Sequence, residues 1–246
     1  MRATVVATLV GGALALSALA GCARPPHVFG LRHDPTFTYQ SLDSGRIAVG
    51  GVTSIADDAA HSPSARVRSE SLLINSLRET HPLLQVASAG AVAVEFGDKA
   101  HGELLDRYRR VGELDSASLH EMSARLPKLR YVVFARIDAD LTDSTETVTV
   151  DSSQNEHTEL SRSRTLTVAF HVYDMSLRRS VWSGQFTQRK ASSNSYDQPR
   201  GLVEALVTAV LGDSHEYPAP PAQHKVLRPI FDAFAESLPQ SSKRRM

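Results

Sequence analysis

Short apolar runs alternate along the chain with segments whose apolar positions follow a helical period. Residues 46–52 and 83–87 form two such runs, each bounded by glycine, proline or polar residues. The run at 129–137 is apolar on both faces from Tyr131 to Ala135, which predicts a strand in the middle of a sheet. Residues 164–173 alternate, and 181–186 follow after a short polar turn, which predicts a hairpin.

Apolar residues at helical spacing predict helices between and after these strands. Ser64 and Asp115 are of the residue types that cap helix amino termini, so each predicts the start of a helix. Pro82 and Pro127 predict where these two helices end. The predicted helices cover residues 64–81, 101–111, 115–126, 202–211 and 226–238, with a weaker candidate at 89–96.

This order of elements predicts an α/β fold, with a mixed sheet of about five strands and helices packed on its faces. The region between Asp140 and Arg164 is rich in Ser, Thr, Asp and Glu, and residues 145–150 alternate within it. An extended hairpin and a mobile loop both fit that composition.

The first 22 residues have the pattern of a secretory signal. Arg2 precedes an apolar stretch from Thr4 to Ala20, and small residues then lead to Cys22. The stretch is short and weakly apolar for a membrane-spanning helix, which typically needs about 20 apolar residues. Residues 1–21 are therefore interpreted as a signal peptide.

Leu19, Ala20, Gly21 and Cys22 resemble the lipobox of bacterial lipoproteins at all four positions. The resemblance implies cleavage before Cys22 and attachment of a diacylglycerol to its thiol, with further acylation by a chain such as palmitate. These chains would anchor the mature protein to a membrane without a spanning helix. Because Ala23 and not Asp follows Cys22, the resemblance also implies the periplasmic face of the outer membrane, if the cell is Gram-negative. An ordinary signal peptide with an incidental Cys is the alternative.

The mature chain divides by composition into three parts. Residues 22–45 hold several prolines and show no regular period, which predicts a lipidated flexible tether. Residues 46–212 form the predicted α/β domain. Residues 213–246 are predicted to be a proline-containing linker followed by a helix with a basic tail.

The strand at 129–137, followed by a hairpin that holds Tyr173-Asp174 and Val181-Trp182-Ser183, resembles a small α/β domain of envelope lipoproteins. Proteins with this domain include outer-membrane activators of penicillin-binding proteins, the curli-secretion channel family and the amino-terminal domain of TolB. The resemblance covers residues 46–211 and implies the fold without a catalytic motif.

The chain contains no complete sequence motif for binding a metal ion or a nucleotide. His120 and Glu121 begin like a zinc-protease helix, but Ala124 stands where the second His is required. Gly50-Gly51 ends a predicted strand without the Lys-Ser/Thr of a phosphate-binding loop. No cofactor and no metal site is therefore predicted.

Hydrolase chemistry is equally incomplete. The chain has no Gly-x-Ser-x-Gly motif, and it has no Ser-x-x-Lys motif followed by Lys-Thr-Gly. The acidic pairs Asp57-Asp58 and Asp138/Asp140 could supply the two carboxylates of a glycosidase. Asp138 and Asp140 are expected on one face of a strand, and we favour the interpretation that they simply solvate the end of that strand. No catalytic residue is predicted.

Charge limits the partners that the chain can bind. Its 27 basic and 27 acidic residues argue against non-specific binding to nucleic acid, which needs a basic surface. Arginines in two clusters could contact an acidic partner or anionic lipid, although solvation of a surface is the commoner role. These clusters are Arg107, Arg109 and Arg110, and Arg178-Arg179. Trp182, the only Trp, is predicted to pack in the core.

Three functions remain open, in order of preference. The first is a non-catalytic envelope lipoprotein that acts as an accessory, regulatory or assembly factor by binding another protein, with residues 140–164 and 202–211 as candidate contacts. The second is a self-associating ring subunit of an export or secretion system. The third, and least favoured, is an enzyme that acts on the cell wall. No small-molecule substrate is predicted.

Overall fold

The protein is built around one mixed six-stranded sheet with helices on both faces. A computed structural model describes residues 24–56, 62–150, 156–198 and 216–240. The strands are β1 (His27–His33), β2 (Ile47–Ser54), β3 (Val86–Ala87), β4 (Tyr131–Val150), β5 (Glu156–Asp174) and β6 (Arg179–Gln198). The helices in these ranges are α1 (Tyr39–Ser44), α2 (Pro63–Thr80), α3 (Ala89–Phe96), α4 (Asp98–Val111), α5 (Ser116–Arg125) and α6 (Gln223–Ser237).

The strand order is β1-β6-β5-β4-β2-β3, which confirms the predicted α/β class and adds one strand to the five expected. β2 pairs in parallel with β3 and β4, because helices connect these strands and return the chain to the same end of the sheet. All the other pairs are antiparallel.

Each face of the sheet carries its own apolar core. On one face, here called the α2/α6 face, alternate residues of the central strands pack against α2 and α6, with Phe170 and Phe234 stacked at a centroid distance of 4.2 Å. On the opposite face, called the α3–α5 face, Val132 and Phe134 pack against residues of α3, α4 and α5. β4 is buried on both sides at its start, as the doubly apolar run predicts.

Two glycines of β2 leave room for side chains of β4 and α4. A Cβ on Gly50 would lie 2.4 Å from Phe134 Cζ, and a Cβ on Gly51 would lie 2.4 Å from Leu105 Cδ2. Gly51 also has a φ of +157° and lies at a break in the register between β2 and β4. Gly50-Gly51 therefore serves close packing.

The helices begin where the sequence offers a capping residue. Asp115 accepts the backbone N–H of Ser118 at 2.7 Å, as its position predicts. Ser62, and not the expected Ser64, caps α2 by accepting the N–H of Ala65, because Pro63 occupies the first helical position.

The structure differs from the predicted tether over residues 24–45. β1 pairs with β6, with His27 opposite Thr187, and α1 follows it. Phe37 and Leu42 are both 1% exposed and belong to the core of the α2/α6 face. Among the described residues, regular structure thus begins with β1, whose first residue is five positions after Cys22.

In the polar region between Asp140 and Arg164, residues 142–150 of β4 pair antiparallel with residues 156–164 of β5, which agrees with the extended hairpin, one of the two predicted alternatives. The helix predicted at residues 202–211 lies outside the described residues, as do Asp57, Asp58 and Cys22.

We expect Phe234→Ala to lower the free energy of unfolding by about 3–5 kcal/mol, because it opens a cavity beside Phe170 in the larger core. Urea denaturation measures this change. Val94→Ala, at an α3 position that is 80% exposed, is the control and should change the free energy by no more than about 0.5 kcal/mol. Equal effects of the two substitutions would contradict this assignment of the core.

Candidate functional site

The upper part of the sheet consists of three strands alone, here called the arm (residues 141–150, 156–165 and 189–198). β2 pairs with β4 only as far as Ile137, and β1 reaches β6 only at Thr187. Beyond these points β4, β5 and β6 continue for a length of about 30 Å. Within the described ranges, no strand pairs with the outer edge of β4 or of β6 in the arm. In these ranges, alternate residues of both edges therefore direct their backbone N–H and C=O groups away from the sheet.

The two edges of the arm carry opposite charge. On β4, Asp143 and Glu146 are exposed, and every side chain from residue 141 to 149 is exposed with them. On β6, Arg189 is exposed and Lys190 is half-buried. The described charged side chains are thus acidic on the β4 edge and basic at the start of the β6 edge.

Contacts with the chain that leads into α6 hold the arm to the domain. Arg164 Nη1 donates to the carbonyl oxygen of Pro221 at 3.0 Å, and Tyr196 Oη donates to that of Glu216 at 3.1 Å. The Arg162 guanidinium lies 5.6 Å from the centroid of the Tyr217 ring. The orientation of the arm is therefore supported from the α2/α6 face.

Asp138 and Asp140 lie on opposite faces of the sheet, so the prediction that they share one strand face is wrong. A bulge between Ile137 and Ala139 breaks the alternation of β4 and turns the following residues over. Each carboxylate has two structural partners. Asp138 accepts from Arg136 Nε at 2.6 Å and Gln185 Nε2 at 2.9 Å, and Asp140 from Arg164 Nε at 2.8 Å and Gln223 Nε2 at 3.1 Å.

The zinc-protease fragment has no metal geometry around it. His120 is exposed on α5, and Glu121 Oε1 forms an ion pair with Arg125 Nη2 at 2.9 Å. In the part of the chain that the structure describes, no three His, Cys, Asp or Glu side chains are grouped to hold a metal ion.

Trp182 and two of the five clustered arginines, Arg107 and Arg179, have structural contacts. Trp182 is 1% exposed and lies against Phe186 and Phe234 in the core, in agreement with its predicted role. Arg107 donates to Ser118 Oγ at 2.6 Å, and Arg179 pairs with Asp34 at 2.7 Å. These contacts stabilise turns and helix ends.

A buried polar cluster lies at the edge of the α3–α5 face. Tyr108 Oη is 3.1 Å from His171 Nδ1, and His171 Nε2 is 3.8 Å from a Glu113 carboxylate oxygen. Tyr173 Oη accepts the backbone N–H of Leu114 at 2.9 Å. Burial raises the pKa values of both tyrosines and lowers the pKa of His171, so that all three groups are neutral at pH 7.

A basic cleft at the lower end of the sheet is a feature that sequence reasoning missed. It has a volume of about 800 Å³, and its lining includes Arg46, Lys128, Arg130 and Arg178. Of these, Arg130 is paired with the buried Asp174, at 3.4 Å. Arg46, Arg130 and Arg178 immediately precede β2, β4 and β6, and Lys128 lies three residues before β4. The pairing that brings these strand starts together therefore also brings the charges together.

Among the described residues, no helix has the length and apolar character needed to cross a membrane. No family model and no curated protein matches the chain.

The chain is similar to several solved bacterial structures. The PelC dodecamer from Paraburkholderia phytofirmans has 19% sequence identity and a TM-score of 0.37, covering 88% of this chain and 99% of that one. Lipoprotein GNA1162 from Neisseria meningitidis has 14% identity, a TM-score of 0.34 and coverage of 68% and 95%. The LpoB C-terminal domain from Salmonella enterica has 8% identity, a TM-score of 0.31 and coverage of 63% and 83%. Bacterial lipoproteins are thus among the structures that this chain resembles.

We expect His171 to make the protein less stable as the pH falls. Burial lowers its pKa in the folded state, so the unfolded chain takes up the proton first. Stability should therefore begin to fall below the unfolded value of about 6.5 and continue to fall until the lowered folded pKa is reached.

The measurement is the urea midpoint between about pH 7.5 and pH 5.5, for the wild type and for His171→Gln. The variant should show a smaller loss. Buried His101, whose pKa is also lowered by burial, is present in both proteins and cancels in the comparison. An identical pH dependence of the two proteins would show that His171 does not contribute.

Proposed function

We propose that this protein is a non-catalytic lipoprotein of the cell envelope, anchored through Cys22, that acts by binding another envelope protein through the arm. The observation that carries the proposal is the pair of open strand edges on the arm. The proposed site of the anchor is the periplasmic face of the outer membrane, on the basis of Ala23.

The arm has the chemistry of a surface for strand addition. An extended segment of a partner can pair with an open edge through main-chain hydrogen bonds, while side chains of the arm select the partner. The exposed residues of β4 in the arm are mainly Thr and Ser with two acidic groups, which favours a polar or basic partner segment. Leu141 and Val148 are the apolar exceptions and are 60% and 52% exposed.

The absence of catalysis is part of this proposal. Among the described candidates, Asp138 and Asp140 are engaged with cationic and amide partners on different faces, and Glu121 is paired with Arg125 on α5. The buried Tyr108, His171 and Tyr173 are held neutral in contacts that order the α4–α5 connection. A binding role uses the exposed arm, whereas an enzyme would need a site that these residues do not form together.

The proposal is tested by placing a photo-crosslinking amino acid at Thr147, on the open edge of β4, in the full-length protein in cells. We expect a covalent adduct with another envelope protein, which mass spectrometry identifies. The matched control is the same amino acid at Val94, which is 80% exposed on α3. The adduct should also disappear in Cys22→Ala, because the anchor would no longer bring the arm to its partner. Absence of any Thr147 adduct with another protein would contradict the proposed function.

Self-association is the second candidate, because the two edges of the arm are complementary to each other. Asp143 of β4 lies opposite Ser163, which in turn lies opposite Ala191 of β6, so Asp143 is level with the residue after Lys190. If copies stood side by side, the acidic edge of one would meet the basic edge of the next. Such a head-to-tail contact uses two different surfaces and forms a ring when the rotation closes.

A disulfide experiment tests this second candidate. Within one chain, positions 143 and 191 are two strand spacings apart, about 9.5 Å, whereas a disulfide needs Cα atoms within about 7 Å. A bond in the Asp143→Cys, Ala191→Cys double variant must therefore join two chains. Self-association predicts a ladder of linked chains on a non-reducing gel of cell envelopes, and single variants should give no ladder. Monomer alone from the double variant would contradict self-association through the arm.

A further inference from the structure

The distance between the proposed anchor and the sheet is short. β1 begins at His27, five residues after Cys22. Covalent geometry limits five residues to a span of about 18 Å, even in a fully extended chain. If Cys22 is acylated, β1 must lie close to the membrane surface, because no longer segment separates them.

β1 presents apolar and basic side chains at the outer edge of the sheet. All seven of its residues are exposed, among them Val28 at 41%, Phe29 at 40% and Leu31 at 53%. Arg24 and Arg32 flank these residues, and residues 24–33 contain no acidic side chain. The outer edge of β1 pairs with no other strand in the described ranges. An apolar strand between two cations is complementary to the boundary between anionic headgroups and acyl chains.

We propose that β1, together with Arg24, is a membrane-contact strand that lies on the lipid surface beside the anchored Cys22. This inference rests on the proposed function, because it requires the lipid anchor. Phe29, Val28 and Leu31 enter the headgroup region, and the two arginines contact lipid phosphates.

The contact also determines the orientation of the arm. His27 pairs with Thr187 of β6, and β6 continues for eleven residues beyond Thr187, so the arm tip lies about 36 Å farther along the strand. This distance exceeds the span of the five residues from Cys22 to His27. The exposed polar side chains of β4 in the arm disfavour entry into hydrocarbon. The arm therefore runs along the membrane, with β6 nearest to the lipid. β4 is three strand spacings from β1, so it lies about 14 Å farther from the lipid than β1 does, and its edge is open to a partner.

The test uses the mature lipidated protein in vesicles of phosphatidylethanolamine and phosphatidylglycerol. Cys22 is the only Cys in the chain, and acylation consumes its thiol, so Phe29→Cys supplies the single free thiol for an environment-sensitive NBD fluorophore. We expect blue-shifted emission and about twofold quenching by lipids that carry a nitroxide near the headgroup. Leu31→Cys should behave alike, which guards against a local fault of one variant.

Two matched positions serve as controls. Val94→Cys on α3 and Thr147→Cys on the open β4 edge should give water-like emission without quenching. Water-like emission at both positions 29 and 31 would overturn the membrane contact. Blue-shifted emission without lipid quenching would overturn it as well, because the strand would then contact protein.

The intact mass of the purified protein separates failure of this inference from failure of the proposed function. A mature chain without acyl groups on Cys22 would overturn the anchor and the membrane contact together. An acylated chain with water-like labels on β1 would overturn the membrane contact alone and leave the proposed anchor in place.

Discussion

The antiparallel ladder of β4, β5 and β6 is the interaction on which the rest of the structure depends. Each strand is about twenty residues long, and the pairing extends from the strand starts into the arm, with register shifts between Ile137 and Ala139 and between Val172 and Tyr173. The lower half of the ladder lies between two layers of helices, so a slip of one residue would move the buried alternating set of β5 to the opposite face. The buried half therefore specifies the register of the arm, which has little apolar burial of its own.

The lower half of this ladder and the arm have different roles. In the lower half, buried aromatic residues such as Phe170 and Phe234 stabilise the fold, and the polar groups of Tyr108 and His171 have partners. In the arm, polar side chains keep the surface solvated while leaving two strand edges open. Open edges favour association with other chains. In the proposed function, the Asp, Glu, Arg and Lys side chains on these edges select the partner. The bulge after Ile137 marks the beginning of the transition and turns Asp140 toward α6.

The lower half of the ladder could be predicted from the sequence, because its apolar residues repeat with the period of a buried strand. Residues 129–137 and 164–173 are of this kind, and Asp115 identifies the start of α5. The arm was ambiguous between hairpin and loop, since its Thr and Ser residues give no apolar face. β1 was missed because Pro25, Pro26 and Gly30 dominate its local pattern, while its partner β6 lies about 150 residues away in sequence. The bulge between Ile137 and Ala139 leaves no sequence signal, so the separation of Asp138 and Asp140 required the structure. The basic cleft was missed because its cations come from distant strand ends.

The central claim is that the arm of an anchored protein binds another protein of the envelope. Carbodiimide crosslinking of carboxylates to amines in intact cells, followed by purification of the lipidated protein and mass spectrometry, tests it most directly through the native Asp143 and Glu146 on the β4 edge of the arm. The account predicts linked peptides that join Asp143 or Glu146 to a protein partner, with fewer links from the exposed Glu95 on α3. Links from Asp143 and Glu146 to residues of their own chain alone, with none to any other protein molecule, would contradict the account.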